Sequence, residues 1–352
     1  MTALAPRPVA LVTGAAGFIG AHVTRALVAE GRARVVALDD LSGGFRDNLP
    51  PEVEFVEGSV TDHALVARLF ERHPVRYVFH LAAYAAEGLS HFIRRFNYTN
   101  NVLGSMTLIN EAVCHQIECF VFTSSIAVYG PIPSPMRETD TPVPEDPYGI
   151  AKLAVELDLA AAHRMFGLRY VIFRPHNVYG EYQNLGDPYR NVLGIFMNQI
   201  MQGKPMTIFG DGTQRRAFSY VGDIVPAIAA SPWVPAAAGH VFNIGADVPY
   251  TVNELARTVA ASMGVPNHPV EHLPARVEAH TAYGDHGKAV QVFGRCSHTP
   301  LDVGVRRMAD WAKVGGVRSS RPFGSVEVTR NLPASWRSLV DRREIGPCVT
   351  PR

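Results

Sequence analysis

The sequence predicts an α/β fold: a doubly wound parallel sheet with a smaller mixed α/β lobe. Short apolar runs rich in β-branched residues alternate with helical segments through the first half of the 352-residue chain, which is the pattern of parallel strands joined by helical crossovers. These runs are apolar on both faces, as expected for strands that are covered by helices on both sides. The predicted strands are 8–14, 34–40, 53–60, 77–83, 119–125 and 169–175, and the predicted helices include 21–30, 61–73 and 97–115.

Composition divides the chain into three parts. Residues 1–180 form the predicted first domain, after which Gly and Pro become frequent. Residues 181–313 form the predicted smaller lobe. Residues 314–352 are weakly periodic and rich in Arg, Ser, Gly and Pro, which predicts a partly disordered tail. The elements predicted in the lobe are a helix over 192–202, a strand over 206–209 and a helix around 253–263, with segments near 217–230 and 240–244 returning to the first domain.

Bulk composition favours a soluble protein that acts on small molecules. The formal net charge of +1 gives no reason to expect nucleic acid or an anionic membrane as a partner. The N-terminus lacks the pattern of a signal peptide, and no apolar run reaches the roughly 18 residues that span a bilayer. The four cysteines and the scattered histidines lack metal-ligand spacing. We therefore expect no metal site and a cytoplasmic location.

The segment TGAAGFIG follows the first strand and opens a helix. Gly14, Gly17 and Gly20 form a G-x-x-G-x-x-G pattern, in which glycines allow a tight turn and a close approach of the backbone to a pyrophosphate. The N–H groups at the start of the helix would then meet the charge of the phosphates. This is the pattern of a Rossmann dinucleotide-binding domain.

The second strand ends in LDD, about 20 residues after the glycine loop. A carboxylate at this point hydrogen-bonds the adenosine ribose in dinucleotide-binding domains, so Asp39 is the predicted ribose ligand. Asp40 is predicted to face water. An acid here repels a 2′-phosphate, and no arginine follows it, so NAD is favoured over NADP.

The segment PYGIAK places Tyr148 and Lys152 four residues apart, on one face of a predicted helix. An unperturbed tyrosine has a pKa near 10, and a nearby ammonium together with a positive nicotinamide ring favours the phenolate. The pair would then be a base that works near neutral pH. The preceding strand ends in FTSSIAVYG, which would deliver a serine hydroxyl at the carboxyl edge of the sheet.

Three motifs in this order resemble a known family: TGAAGFIG, then HLAA with SS-x-x-VYG, then PYGIAK. They are similar to the extended short-chain dehydrogenases/reductases, and most closely to the nucleotide-sugar epimerases of the UDP-glucose 4-epimerase type. The resemblance covers residues 8–312. It implies that Tyr148 is the catalytic base and acid, that Lys152 holds the nicotinamide ribose, and that Ser125 hydrogen-bonds the reacting sugar hydroxyl.

The same resemblance implies two wider sets of contacts. The residues implied to contact NAD are Phe18, Ile19, Leu81, Ala82, Ala83, Ser124, Pro175 and His176, and Asn101 is implied to be either a structural or a cofactor contact. The residues implied to contact the nucleotide sugar, besides Ser125, are Asn177, Asn191, Val192, Arg216 and Arg276. Arg216 and Arg276 are candidates for binding the diphosphate, because a guanidinium can donate two parallel hydrogen bonds to phosphate oxygens.

The sequence departs from this family at three places. Ser59 stands where an aspartate usually reaches the adenine amine, so Ser59 and Val60 would flank the base less tightly. Ile126 follows the catalytic serine where the related dehydratases carry an acid. The segment 83–101 is unlike that of the 4-epimerases, and it is where sugar specificity is expected. The residues of this segment that are expected to face the sugar are Glu87, Ser90 and His91. A solvated helix face stays open as the alternative for His91.

The resemblance implies an epimerase of nucleotide-diphosphate sugars. It would invert a hydroxyl-bearing carbon, C4 by default, through transient oxidation by bound NAD and a keto-sugar intermediate. It also implies a homodimer formed through the helices around 97–115 and 150–165. Epimerisation at another carbon, 4-keto reduction, dehydration at the same site and a non-catalytic NAD-binding regulator stay open as alternatives.

Overall fold

A seven-stranded parallel sheet forms the centre of the computed structural model, which describes residues 7–187, 189, 191–275, 280–294, 298–316, 326–333 and 336. The strands are β1 (Val9–Thr13), β2 (Arg34–Asp39), β3 (Glu54–Glu57), β4 (Val75–His80), β5 (Cys119–Thr123), β6 (Tyr170–Pro175), β7 (Val178–Tyr179), β8 (Met206–Phe209), β9 (Arg215–Ala217), β10 (Ser219–Tyr220), β11 (His240–Ile244), β12 (Pro249–Thr251), β13 (Val270–Leu273) and β14 (Thr281–Ala282). The α-helices are α1 (Phe18–Glu30), α2 (His63–Arg72), α3 (Glu87–Ser90), α4 (Arg94–Tyr98), α5 (Gly104–Cys114), α6 (Pro147–Phe166), α7 (Val192–Met201), α8 (Val221–Ala230), α9 (Val252–Met263), α10 (Gly287–Phe293) and α11 (Leu301–Gly315).

The strand order in the large sheet is β11-β6-β5-β4-β1-β2-β3, and every pair in it is parallel. The chain leaves β1 towards one edge and returns to build the other half from β4. Ligands of such sheets bind outside the carboxyl ends of the strands at this reversal point. The predicted fold class, a doubly wound parallel sheet, is confirmed.

Alternate residues of β1 enter different core layers. Ala10 and Val12 pack in the layer that contains α1 and α8, whereas Val9 and Leu11 pack in the layer that contains α2, α5 and α6. All four are almost fully buried. Burial of a Val or Leu side chain contributes about 1.5–3 kcal/mol, so a continuous apolar run is stable only where helices cover both faces of the sheet.

The predicted helix over 97–115 is divided in the structure. A π-helical turn over Thr99–Leu103 joins α4 to α5. Within this turn the Asn101 side chain accepts a hydrogen bond from Tyr84 N at 2.9 Å, donates to Tyr84 O at 3.2 Å and donates to Asn97 Oδ1 at 2.8 Å. The amide therefore holds the strand exit after β4 against the helix pair.

The smaller lobe contains helices α7, α9 and α11 and short strand pairs. β8 pairs with β13, and β9 pairs with β12 and β14. The predicted returning segments contribute α8, which packs on α1, and β11, the edge strand of the large sheet. The domain boundaries near residues 180 and 313 stay predictions.

Part of the predicted tail packs against the body of the protein. Val326, Leu332 and Trp336 are buried in an apolar cluster with residues of α3 and with Ile93. Sequence analysis did not anticipate this contact. Among the described residues, no helix combines the length and the apolar character needed to cross a bilayer.

Candidate active site

A cavity of about 1050 Å³ lies at the carboxyl edge of the large sheet, between the sheet and the smaller lobe. Its floor is formed where β1, β4, β5 and β6 end, and the lobe contributes residues from the β6 exit, α7 and β9. We call it the central cavity. Most of the predicted site residues line it: Gly14, Gly17, Phe18, Ile19, Gly20, Asp39, Ser59, Val60, Leu81, Ala82, Ala83, Glu87, His91, Ser124, Ser125, Tyr148, Lys152, Pro175, Asn177, Asn191, Val192 and Arg216.

The glycine loop forms a cradle that side chains would fill. Gly14 has a left-handed φ of 65°, and a Cβ there would lie 2.6 Å from Ala82 N. A Cβ on Gly20 would lie 1.9 Å from Gly14 O. Gly17 is the N-cap of α1 and brings no side chain to the first N–H groups. The backbone of this loop therefore fits a dinucleotide pyrophosphate at the start of α1.

Asp39 holds the loop from the end of β2. Its carboxylate accepts hydrogen bonds from Ala16 N at 3.0 Å and from Leu41 N at 2.8 Å. Burial raises the pKa of Asp39, and these two backbone bonds oppose that rise. Asp40, predicted to face water, also lines the central cavity, where its carboxylate accepts from Ser42 N at 2.9 Å.

The predicted adenine end of the cavity is formed by Ser59 and Val60 after β3. The Ser59 hydroxyl accepts from Thr61 N at 3.2 Å and lies 2.9 Å from the Thr61 hydroxyl. It is therefore engaged within its own turn. The site has the residues to hold NAD, namely the glycine cradle and the Asp39 carboxylate.

His80 joins the ends of β4, β1 and α5. Its Nδ1 lies 2.7 Å from the Thr13 hydroxyl, and its Nε2 lies 2.8 Å from the Ser105 hydroxyl. The Ser105 hydroxyl donates to Asn101 O, so it accepts from a protonated Nε2. Burial, and next the charge of Lys152, lower the pKa of His80 to about 3. A neutral His80 thus fixes the strand ends that carry the cofactor wall.

Ser125 and Tyr148 are positioned by two helix starts. Ser125 begins a 3₁₀ turn after β5, and its hydroxyl accepts from Ala127 N at 3.1 Å. Asp146 caps α6, because its carboxylate accepts from Tyr148 N at 2.9 Å and from Gly149 N at 3.0 Å. Tyr148 therefore sits in the first turn of α6, at the cavity wall.

Lys152 is buried behind the tyrosine. Its ammonium nitrogen donates to Thr123 O at 2.8 Å and lies 5.8 Å from the centroid of the Tyr148 ring. Burial lowers the pKa of Lys152 to about 7, and the charge of Glu156 opposes this effect. The ammonium is thus held between the end of β5 and the face of α6 that carries Tyr148.

A buried ion pair beneath the cavity was missed by sequence analysis. Arg174 donates to the Glu156 carboxylate from Nε at 2.9 Å and from Nη2 at 2.5 Å, and the Ser124 hydroxyl donates to the same carboxylate at 2.5 Å. Glu156 and Arg174 are 5% and 4% exposed. The signal was present: Glu156 follows Lys152 by one helical turn, and Arg174 is a charge inside an otherwise apolar strand.

The predicted substrate residues lie on the lobe side of the cavity. Asn177 has a left-handed φ of 41° and donates from its side chain to Ala217 O at 3.2 Å. Asn191 caps α7 by accepting from Leu193 N at 3.0 Å. Arg216 donates to Arg215 O at 2.8 Å and to His280 O at 3.1 Å. Arg276 lies outside the described residues.

Three of the residues expected at the site lie outside the cavity lining. Ser90 is buried with its hydroxyl donating to Glu87 O at 2.6 Å, and it does not line the cavity. Asn101 is likewise absent from the lining, because the backbone of Tyr84 occupies its amide. His176, expected beside the nicotinamide, is buried outside the lining, with its Nε2 lying 2.9 Å from His286 Nε2.

Two aromatic residues of the cavity wall were also missed. Tyr189 and Trp336 both line it, and their rings lie edge to face with centroids 5.4 Å apart. No motif marked either of them, because each meets the cavity only through the folding of segments that are distant in the sequence.

Comparison with known proteins identifies the family. Residues 10–245 match the family model described as the NAD dependent epimerase/dehydratase family. The UDP-glucose 4-epimerase of Mycolicibacterium smegmatis is 34% identical over 310 residues, which are 86% of this chain and 97% of that protein.

Solved structures of similar proteins agree with this match. The UDP-glucose 4-epimerase of Thermotoga maritima, solved with UDP-glucose, is 33% identical with a TM-score of 0.81 over 87% of this chain and 99% of that one. The UDP-glucose 4-epimerase of Thermus thermophilus, solved with NAD, is 30% identical with a TM-score of 0.80 over 87% and 99% of the two chains. The family match confirms the prediction of NAD as cofactor. The chain therefore belongs to the NAD-dependent epimerase/dehydratase family, in agreement with the sequence motifs.

Proposed function

We propose that the protein epimerises a nucleotide-diphosphate sugar at a hydroxyl-bearing carbon, with C4 as the expected position. One observation carries this proposal: Ser125, Tyr148 and Lys152 line the same cavity as the glycine loop. The proton-transfer groups and the dinucleotide cradle are thus parts of one site. The similar UDP-glucose 4-epimerases described above support the choice of substrate class.

Each residue of the trio has a distinct role. Tyr148 takes the proton of the reacting hydroxyl and later returns it, which makes it general base and then general acid. Ser125 hydrogen-bonds the same hydroxyl. Lys152, fixed on Thr123 O, favours the tyrosine phenolate and holds the nicotinamide ribose. NAD held in the glycine cradle would supply the acceptor for the hydride of the reacting carbon and the donor of that hydride to the opposite face of the keto sugar.

Binding of the diphosphate falls to the lobe side of the cavity. Arg216 supplies a guanidinium at this wall and Asn177 supplies an amide, whereas the Asn191 amide is held by Val178 O and Leu193 N. The sugar must turn over within the site between the two transfers, so the contacts to the diphosphate keep the nucleotide in place while the ring turns. Ile126, adjacent to Ser125, offers no proton-transfer group for dehydration.

The decisive experiment incubates the purified protein with UDP-, GDP-, dTDP-, CDP- and ADP-hexoses and NAD, and identifies the sugar products by NMR. Conversion to an epimer without net NADH supports the proposal and names the base and the carbon. Stoichiometric NADH would instead indicate a dehydrogenase. Binding of NAD with every sugar returned unchanged would contradict the proposal and favour a non-catalytic regulator.

We also propose a homodimer formed through α5 and α6. Leu103, just before α5, is 59% exposed, and Ile150 and Leu157 on α6 are 40% and 62% exposed. Ile150 and Leu157 are seven residues apart and share a helix face, so α6 presents an exposed apolar strip. Leu157→Glu should yield a monomer in light scattering. Val314→Glu, at a 91% exposed position on α11, should leave the dimer intact.

A monomeric wild-type protein would contradict the homodimer. The cytoplasmic location also stays a prediction, which cell fractionation tests directly.

A further inference from the structure

Residues 326–333, near the C-terminus, are attached to the structure that surrounds the active site. The backbone N–H groups of Glu327 and Val328 both donate to Phe92 O, at 2.8 and 3.1 Å. The Glu327 carboxylate accepts from Arg95 N at 2.7 Å and from Phe96 N at 2.8 Å, which satisfies free N–H groups at the start of α4. These four bonds fix the segment 326–333 on the region between α3 and α4.

This attachment brings Trp336 to the cavity. The indole is 8% exposed, lines the central cavity and packs edge to face against Phe92 and Tyr189. It also lies directly on Gly88, where an added Cβ would be 3.2 Å from the Trp336 ring atom Cη2. The absence of a side chain at Gly88 therefore lets the indole reach the backbone of α3.

The position of α3 places this indole near the Tyr148 end of the cavity. Ser90 at the end of α3 donates to the Asp146 carboxylate at 3.4 Å, and the same carboxylate caps α6 through Tyr148 N. The start of α6 and the backbone beneath Trp336 are thus adjacent. The glycine loop and Asp39 form a different part of the same cavity.

The wall around Trp336 combines small and aromatic residues. The members of this wall are Tyr84, Ala85, Ala86, Gly88, Phe96, Tyr189 and Trp336. Ligand sites are lined largely by such apolar and aromatic surface, with few polar groups to fix orientation. Small residues leave room for a sugar ring, and the flat face of an indole can pack against the C–H groups of that ring.

The segment lies after the part of the chain that the family model matches, which is residues 10–245. The motif resemblance ends at residue 312. Trp336 is therefore the member of this wall that the family model does not cover.

We propose that Trp336 contacts the sugar ring of the substrate, so that the C-terminal segment completes the sugar-binding part of the site. The inference rests on the proposed function for the identity of the ligand as a nucleotide sugar. Trp336 binds the sugar and leaves the nucleotide and NAD to other residues. Its contribution is to affinity and specificity for the sugar, and Glu327 acts only by positioning the segment.

The test compares Trp336→Ala with wild type in binding three ligands by calorimetry: the nucleotide sugar bound most tightly among the five hexose conjugates, the matching free nucleoside diphosphate, and NAD. We expect the affinity for the nucleotide sugar to fall by about tenfold and the other two to stay unchanged. Glu327→Ala should weaken sugar binding in the same direction. Trp233→Phe, at a site that packs on Tyr77 away from the cavity, is the control and should bind like wild type.

Wild-type affinity of Trp336→Ala for the nucleotide sugar would overturn the inference. An equal loss of affinity for the free nucleotide or for NAD would also overturn it, because the residue would then act through the fold. These are binding measurements, so they decide the role of Trp336 even if no sugar is epimerised and the proposed reaction fails.

A second variant of this chain tests the inference if Trp336→Ala does not fold. The chain has three tryptophans, so Trp233→Phe with Trp311→Phe leaves Trp336 as the single indole. Its fluorescence should change on addition of the nucleotide sugar beyond the change caused by the free nucleotide. Identical emission with the two ligands would contradict contact between Trp336 and the sugar.

Discussion

The ammonium nitrogen of Lys152 lies 5.8 Å from the centroid of the Tyr148 ring, one turn further along α6. The same nitrogen donates to Thr123 O at the end of β5. The lysine is therefore tied to the sheet while its charge stays beside the tyrosine. In the proposed reaction, the charge of this ammonium favours the phenolate of Tyr148.

Replacing Tyr148 with phenylalanine tests the proposed base. The ring and its packing are kept, but the proton acceptor is lost, so kcat for epimerisation should fall by about 10²–10⁴-fold. NAD affinity should stay close to wild type. The measurement is the NMR product assay together with an NAD titration. Tyr98→Phe changes a tyrosine outside the cavity lining and should keep full activity; full activity in Tyr148→Phe would refute the role.

The burial of Lys152 should make stability depend on pH. Its pKa is about 7 in the folded protein because of burial, against about 10.4 in an unfolded chain. Between these values the unfolded state binds more protons, so the contribution of Lys152 to the free energy of unfolding rises with pH. Each pKa unit corresponds to about 1.4 kcal/mol, and the rise should amount to a few kcal/mol.

Urea unfolding of the NAD-free protein from pH 7 to 10 measures this effect. The free energy of unfolding of wild type should rise with pH over this window relative to that of Lys152→Met. Lys313→Met removes a lysine whose side chain is 43% exposed and should leave the pH profile unchanged. Parallel profiles for wild type and Lys152→Met would show that the lysine is not perturbed by burial.

The buried pair of Glu156 and Arg174 should be important for stability. Glu156→Gln leaves the Arg174 charge buried without its partner, and breaking such a pair typically costs about 3–5 kcal/mol. Asp310→Asn removes an exposed partner of Lys313 and should cost about 0–1 kcal/mol. Equilibrium unfolding in urea measures both. A loss below about 1 kcal/mol for Glu156→Gln would mean that the site relaxes around the unpaired arginine.

The carboxylate of Asp39 should set the affinity for NAD. Asp39→Asn weakens the grip on Ala16 N and on the ribose, and loss of one charged hydrogen bond reduces affinity by roughly 10- to 100-fold. The neighbouring carboxylate of Asp40 accepts from Ser42 N within its own turn and does not hold the glycine loop. Asp40→Asn should therefore have a smaller effect in an NAD titration. Equal losses in the two variants would indicate that the local charge matters more than the position.

The guanidinium of Arg216 should hold the diphosphate. Arg216→Gln should raise KM for the nucleotide sugar by roughly 10- to 100-fold and leave NAD affinity unchanged, because the residue lies on the lobe side of the cavity. Arg215→Gln alters an exposed neighbour outside the lining and should have near-normal kinetics. A larger effect at Arg215 would show that Arg215 and not Arg216 holds the diphosphate.

Much of the first domain could be predicted because its signals are local. Apolar runs and helical periodicity indicate the parallel strands, and the spacing of Gly14, Gly17 and Gly20 indicates the turn that a dinucleotide needs. Tyr148 and Lys152 could be paired because four residues along a helix bring two side chains to one face. In each case the residues that act together are close in sequence or follow a regular period.

Ser90 and Asn101 lie outside the cavity lining for the same reason. Ser90 was expected to face the sugar and Asn101 to be a structural or cofactor contact, and hydrogen bonds to nearby backbone and side chains occupy the polar groups of both. Sequence order gives the presence of a polar side chain near a site. It does not give the direction in which that side chain points.

The sequence by itself determined the parallel sheet, the dinucleotide loop and the tyrosine and lysine of the proposed reaction, because each depends on short-range spacing. Only the tertiary structure decided that Arg174 meets Glu156 beneath the cavity and that Trp336 reaches its wall. Arg174 is 18 positions from Glu156 in the sequence, and Trp336 is about 250 positions from Gly88, on which it packs. Whether such residues meet depends on how the whole chain packs, since burial of apolar surface and satisfaction of polar groups are properties of the complete fold.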